Sequence, residues 1–408
     1  MTLDPVHFDG IAALARRIDG GVEATDHDDF AETAFEEFLD PLVSDGDVVV
    51  EPIGDLRRRR IDTEGAALQE PPFPTQHGLD SGTINPTTFT NGLVLDVAHA
   101  AMAAVPSDLD LHRSRTVVKT VHSNDVTVDC EEDDWRMFDD GYSRGRIVQA
   151  PRVSRYEEAV VHALSLYLAE VTHAEMQADV VEDLLVMDGP IYPKGLLAWS
   201  DRHPELADLL TEAERPRDVV ESYLRLVETF IERDVPVIGF VKNDGSKLIT
   251  RAIREASRAP WVDDAAFFRR VLSTDSDSES LTFTNWFRSS GGVDRPVSAA
   301  GDALGIERNR DPSEYAVTFC YIYDPREDLV YRIEAPAAFT TDEDRRERLT
   351  MQVLRDVAVS GPPLCVEKAD ELARISRDQK AALVRSIEET FDAARDRSYD
   401  DERWGLLA

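Results

Sequence analysis

Two aspartates, Asp80 in QHGLDSGTINP and Asp188 in EDLLVMDGP, each close an apolar run and precede a glycine-containing turn. Taken singly, each is an ordinary turn residue, because Asp, Ser and Gly are what turns use. Taken together they suggest chemistry. An acid at the carboxyl end of a buried strand lies on the rim of a sheet, where α/β proteins commonly bind ligands. Two such acids on neighbouring strands could share a divalent cation, since Mg2+ and Mn2+ prefer oxygen donors. Two metals about 3.5–4 Å apart would suit in-line phosphoryl displacement, one activating water and the other stabilising the leaving oxygen. Two unrelated capping aspartates are the open alternative.

A third acid is sought on the helix between them, RYEEAVVHALSLYLAEVT. At about 100° per residue from Tyr156, Val160, Leu164, Tyr167, Leu168 and Val171 share a face, with Ala163 slightly outside it. Glu157 lies at the flank of that face; Glu158 lies almost opposite, towards solvent. If the helix packs on the sheet, Glu157 is the one able to reach the rim. His77, close to Asp80, reads as a satisfied or solvated histidine rather than a ligand.

The elements that must position these acids follow from pattern. NGLVLDVAHAAMAA, SRTVVKTVHS and VTVDC read as strands. LLVMD and VPVIGFVKND are nearly all apolar and read as buried strands, while PRDVVESYLRLVETFIERD is a second amphipathic helix. After a serine-rich insertion at STDSDSES, YAVTFCYIY and LVYRIEAP form a hairpin through DPRED. Helices follow at TDEDRRERLTMQVLRDVAVS, at GPPLCVEKADELARIS and at the end of the chain. Helices between apolar strands predict an α/β core with a mixed sheet. Residues 1–72 read as an N-terminal helical region, with helices at FDGIAALARRI and DDFAETAFEEFLDPLV. Residues 73–380 read as the main domain, and 381–408 as a final helix and polar tail. The run Arg57 to Arg60 reads as a solvated or charge-paired face more than a phosphate contact.

Composition sets the surroundings. The net charge is −35, and the 45 basic residues are six lysines and 39 arginines. An acidic surface with scarce lysine is the composition of proteins from cells that accumulate molar salt. Such a charge repels nucleic acid at ordinary salt, but at about 1 M salt the Debye length is only about 3 Å. Nucleic acid therefore stays possible, given a local basic groove or a bound metal. No run of about 18 apolar residues occurs, so no membrane span is expected. The start lacks a basic region followed by an apolar stretch, so a cytoplasmic location is expected. Cys130, Cys320 and Cys365 are few, scattered and odd in number, which suits reduced thiols and gives no zinc spacing. A Gly-rich phosphate loop, a G-x-S-x-G elbow and an H-E-x-x-H pair are all missing, which argues against ATP hydrolysis, serine-hydrolase chemistry and zincin chemistry.

In their order along the chain, GLDSGTINPTTFTNGLVLDVAHA, RYEEAVVHA, LLVMDGPIY, VIGFVKND, YIYD with LVYRIEAP, and GPPLCVEKADELARIS resemble the NurA nucleases over about residues 74–380. No single motif is highly specific; order and spacing carry the likeness. The resemblance implies an RNase H-like core with a manganese- or magnesium-dependent DNA nuclease site. It implies 5′–3′ exonuclease and single-strand endonuclease activity in end resection and double-strand break repair. It further implies a homodimer docked on a hexameric HerA-type translocase, and the composition suggests a haloarchaeal member. Carried over by position, Asp80 and Asp188 match the strand aspartates, and Glu157 or Glu158 the helix acid, with facing favouring Glu157. Lys242 matches a recurrent strand lysine, able to touch phosphate or to stand as a solvated strand-end residue.

Two departures matter. Ser81-Gly82 follows Asp80 where the family commonly has Gly-Ser. The family's late Ala-His pair is Ala369-Asp370 here, so Asp370 would have to take the histidine's place, which an oxygen-seeking cation accepts. The rival reading is an RNase H-like adaptor that binds a translocase and has lost catalysis; a weaker one is an RNA-directed enzyme.

Overall fold

The structure, a computed structural model, describes residues 24–132, 134–257, 259–273, 279–299 and 304–396. Its strands are Leu42–Ser44 (β1), Asp47–Pro52 (β2), Arg58–Asp62 (β3), Gln76–Thr83 (β4), Thr87–Thr88 (β5), Val94–Val105 (β6), Arg115–His122 (β7) and Arg136–Phe138 (β8). They continue with Ser143–Gln149 (β9), Leu184–Asp188 (β10), Val237–Val241 (β11), Ser280–Thr284 (β12), Phe287–Ser289 (β13), Val317–Asp324 (β14) and Leu329–Pro336 (β15). The longer helices are Ala24–Phe38 (α1), Glu157–Gln177 (α2), Pro204–Glu212 (α3), Glu214–Glu232 (α4), Leu248–Ala256 (α5), Asp264–Ser273 (α6), Glu343–Ser360 (α7), Leu364–Ala373 (α8) and Arg377–Phe391 (α9).

All fifteen strands belong to one mixed sheet. Its heart is the order β7-β6-β4-β10-β11. The first three are antiparallel neighbours, and β10 and β11 run parallel to β4. This is the mixed α/β sheet expected from the sequence. β10 lies between two parallel partners, and Leu184, Leu185, Val186 and Met187 are all buried. A strand covered on both faces needs such a continuous apolar run. β7 alternates buried and partly exposed residues along its length, the period-2 signature of a strand covered fully on one side only.

Beyond β11 the sheet continues through antiparallel β15 and β14, and then β13, β2 and β1; β12 and β3 branch from β14. Residues 42–62, expected within a helical N-terminal region, therefore supply three strands. Their cause is visible in DVVVEP and RRRID: β-branched residues favour a pleated surface, and edge-to-edge pairing with β13 and β12 supplies their backbone partners. Among the described residues before β1, only α1 is helical, and FDGIAALARRI lies outside them. Because these pairings cross position 72, sheet and core continue through it. The division at 380 falls inside α9, which a capping box of Ser376 and Gln379 opens.

VTVDC is not a strand. Asp125 accepts the backbone N–H and the hydroxyl of Thr127 at 2.8 and 2.7 Å, an Asx-type turn that satisfies the backbone locally, and Val126 is exposed. The DPRED hairpin forms as expected, with Asp324 opposite Leu329. In the arginine run, Arg58 pairs with Glu32 and Arg59 with Glu347. The two largest hydrophobic cores are one around β4, β10, α2, α4 and α7, and an aromatic-rich one where α1, α5 and α6 meet β13 to β15. Among the described residues no helix is long and apolar enough to cross a membrane.

Candidate active site

Register places the two aspartates side by side: Asp188 ends β10 as expected, whereas Asp80 lies inside β4, whose pairing with β6 carries the strand on to Thr83. Met187 stands opposite Leu79 in the parallel β4–β10 pair, so Asp80 and Asp188, one step on, share a level and a face. Asp188 in turn stands opposite Phe240 of β11. Side chains alternate along a strand, so Lys242, two residues past Phe240, returns to that same face. Its ammonium lies 2.7 Å from Asp188 Oδ2.

α8 closes this face from above. Gly78 and Gly82 flank Asp80 on the same side of β4. A Cβ at either would come within 2.2 Å of a helix backbone carbonyl, that of Cys365 for Gly78 and that of Ala373 for Gly82. Only glycine permits this approach. It brings Asp370 near both aspartates: its charge contributes to raising the pKa of Asp80 and of Asp188. Asp370 also accepts a hydrogen bond from Arg374 at 2.5 Å. The Ser81-Gly82 order thus has a packing reason, since position 82 cannot carry a side chain while position 81 faces the other way.

On that other face lies α2, and from it comes an acid the sequence reading did not single out. Glu170 Oε2 accepts from the Ser81 hydroxyl at 3.0 Å and Oε1 from the Tyr223 hydroxyl of α4 at 2.6 Å. Glu157 stands at the opposite end of α2, about 20 Å away along an axis rising about 1.5 Å per residue. Its charge is felt at His122 instead. Glu158 accepts from Thr88 at 3.0 Å. The structure therefore groups Asp80, Asp188, Asp370 and Lys242, adds Glu170, and leaves Glu157 and Glu158 elsewhere. A signal for Glu170 existed: it sits between Ala169 and Val171, both fully buried, and falls about 20° from Ala163 at 100° per residue.

Burial and crowding set the electrostatics. Asp80 is pushed up to about 7, first by burial, then by the charges of Asp188, Glu170 and Asp370, against a stabilising backbone N–H of Ser81. Glu170 rises to about 7 through burial, with Asp188 adding to the rise and its two hydroxyl donors opposing it. Asp188 is also raised by burial, with Lys242 opposing. His77 is buried, its Nδ1 without a partner, and burial lowers its pKa. It alternates to the α2 side of β4, away from Asp80.

Among the described residues no three His, Cys, Asp or Glu side chains stand close enough to enclose a metal ion. Each acid is turned onto a protein partner: Asp188 onto Lys242, Glu170 onto Ser81 and Tyr223, Asp370 onto Arg374. The donor set still fits a hard divalent cation. It is all oxygen, it is half-buried, and burial, with neighbouring negative charge adding to it, already drives Asp80 and Glu170 towards neutrality, which a bound cation would reverse. Asp80, Glu170 and Asp188 would hold it, with Asp370 at the margin.

A large mixed sheet flanked by helices, with carboxylates gathered beside its central strands, defines a mixed α/β protein with an acidic candidate site. The family model for the NurA domain matches residues 74–375, most of the chain. The chain belongs to the NurA family. Among solved structures it resembles the NurA nuclease from Sulfolobus solfataricus, at 11% identity over 96% of this chain and 98% of that one, with a TM-score of 0.49. It also resembles NurA with manganese (11% identity, 78% of this chain and 90% of that chain, TM-score 0.44) and NurA bound to dAMP and manganese (11%, 78% and 89%, 0.43). No curated protein matches it. At such identities the family assignment rests on the match over residues 74–375.

Proposed function

We propose that this chain is a metal-dependent DNA nuclease that hydrolyses phosphodiester bonds at the rim formed by β4 and β10. What supports this is that Asp80 and Asp188 share a level and a face on adjacent strands, with the charges of Glu170 and Asp370 felt at Asp80, in a chain of the NurA family. A bound Mn2+ or Mg2+ would polarise the phosphoryl group and lower the pKa of a water molecule. The protein's part is to hold that ion and the substrate. Asp80 and Asp188 present oxygens from adjacent strands, and Glu170 adds another from the opposite face. Lys242 pairs with Asp188 and would meet a phosphate oxygen once that carboxylate is otherwise engaged. Asp370 stands where the family's histidine is expected and supplies a further oxygen from α8.

The finer reading comes with the family likeness. It comprises 5′–3′ exonuclease and single-strand endonuclease action in double-strand break repair, a homodimer, a HerA-type translocase partner and a cytoplasm rich in salt. Co-elution with a HerA-type ATPase in molar KCl tests the partnership; free passage of both proteins as separate species would remove it.

Cleavage of single-stranded and double-stranded DNA with Mn2+ in molar KCl tests the activity. Asp80→Asn, Asp188→Asn and Glu170→Gln are each expected to lower the rate by at least about 100-fold, and Glu157→Gln to leave it near wild type. Undiminished cleavage by Asp80→Asn would reject the site. A second reading, the catalytically weakened adaptor, is favoured by the Asp370–Arg374 pairing. Translocase binding without cleavage by the wild-type chain would establish it.

A further inference from the structure

Glu170 enters the rim from the face opposite Asp80, and both of its oxygens are held by hydroxyls, Ser81 at 3.0 Å and Tyr223 at 2.6 Å. We propose that Ser81 and Tyr223 are positioning residues that clamp Glu170 beside the rim, where its charge is felt at Asp80, and thereby set the affinity of the rim for a divalent cation. This rests on reading Asp80, Glu170 and Asp188 as a cation site.

The geometry is that of a prepared ligand. A carboxylate has about four lone-pair positions, and one hydroxyl on each oxygen leaves one free on each. A long, unclamped glutamate would lose its rotamer freedom only on binding the ion; here that ordering is done in advance. The clamp is itself anchored. The Tyr223 ring is buried and meets Tyr167 edge-on at 6.2 Å. The Tyr167 hydroxyl accepts the Gly195 N–H at 3.0 Å, in the segment that follows Asp188. Ser81 is the neighbour of Asp80 on one strand, so β4 offers a ligand to one face and a clamp to the other. Helix, strand and the segment after β10 are thereby fixed to one another around Glu170.

Calorimetric titration of the full chain with Mn2+ in molar KCl, without DNA, tests this. Ser81→Ala and Tyr223→Phe are each expected to weaken Mn2+ binding by about 10–100-fold, the usual effect of removing a partner of a metal ligand. Metal-free melting, followed by circular dichroism, should stay within a few degrees of wild type for Ser81→Ala. Ser81→Thr, which keeps the hydroxyl, should restore wild-type affinity; a merely space-filling serine would be replaced equally well by alanine. Wild-type affinity in both Ser81→Ala and Tyr223→Phe, with Asp80→Asn weakened, overturns the clamp and leaves the site standing. No Mn2+ binding by the wild type, or none lost in Asp80→Asn, overturns both.

Discussion

Asp80 is held at a cost to the fold. Its pKa rises from an ordinary 3.8 to about 7, so between those values the folded chain binds a proton that the unfolded chain has released. Stability from this group therefore falls as pH rises through that window and stays low above it. Without metal, Asp80→Asn should melt at a higher temperature than wild type at pH 8, with a smaller gap at pH 5 that closes only as pH falls below about 3.8. Thermal scans at both values check this; a variant less stable than wild type at pH 8 would mean that Asp80 is satisfied rather than crowded. At this scale the sequence disclosed Asp80 and Asp188, because each follows an apolar run; Asp188 does end its strand, while Asp80 sits inside β4, which continues to Thr83. It hid Glu170, because acids on a helix are common and facing was judged against a single sheet face. Glu157 lay on a plausible flank, yet the pitch of α2 carries it about 20 Å from the rim. Position along a helix axis, which a helical wheel discards, decided between them.

Elements bring the acids together through close approach. α8 can lie on β4 because Gly78 and Gly82 present only backbone to it. Gly82→Ala would drive a Cβ to 2.2 Å from the Ala373 carbonyl, and the helix must shift. The expected loss is about 1–3 kcal/mol, typical of overpacking, with Asp370 displaced from the rim. Denaturant unfolding reads the first effect and cleavage at saturating Mn2+ the second; an unchanged midpoint would show that α8 is loosely held. Buried strands and amphipathic helices were legible because apolar runs and helical periods are local signals. β2 and β3 were not, since their partners β13 and β12 lie more than 200 residues further along the chain, and β1 depends on β2 for its own pairing. VTVDC failed for the converse reason: a strand-like composition yielded to a side-chain turn at Asp125.

The whole molecule carries −35 charges, and self-repulsion of that size opposes a compact state. At 0.1 M salt the Debye length is about 10 Å and most surface acids feel one another; at 1 M it is about 3 Å. The melting temperature should therefore climb steeply with KCl between about 0.1 and 2 M. A flat profile would show that internal ion pairs such as Arg332 with Glu334 and Lys194 with Glu334 already balance the charge.

The contact of α8 with β4 joins two ends of a synthesis schedule. Asp80 leaves the ribosome early, Glu170 and Asp188 follow, and Asp370 is made only when most of the chain already exists. Until α8 arrives, one face of β4 lacks its cover and the acidic rim lacks its last member. A chain truncated before α8 would carry Asp80, Glu170 and Asp188 without Asp370 and without the helix that covers this face of β4.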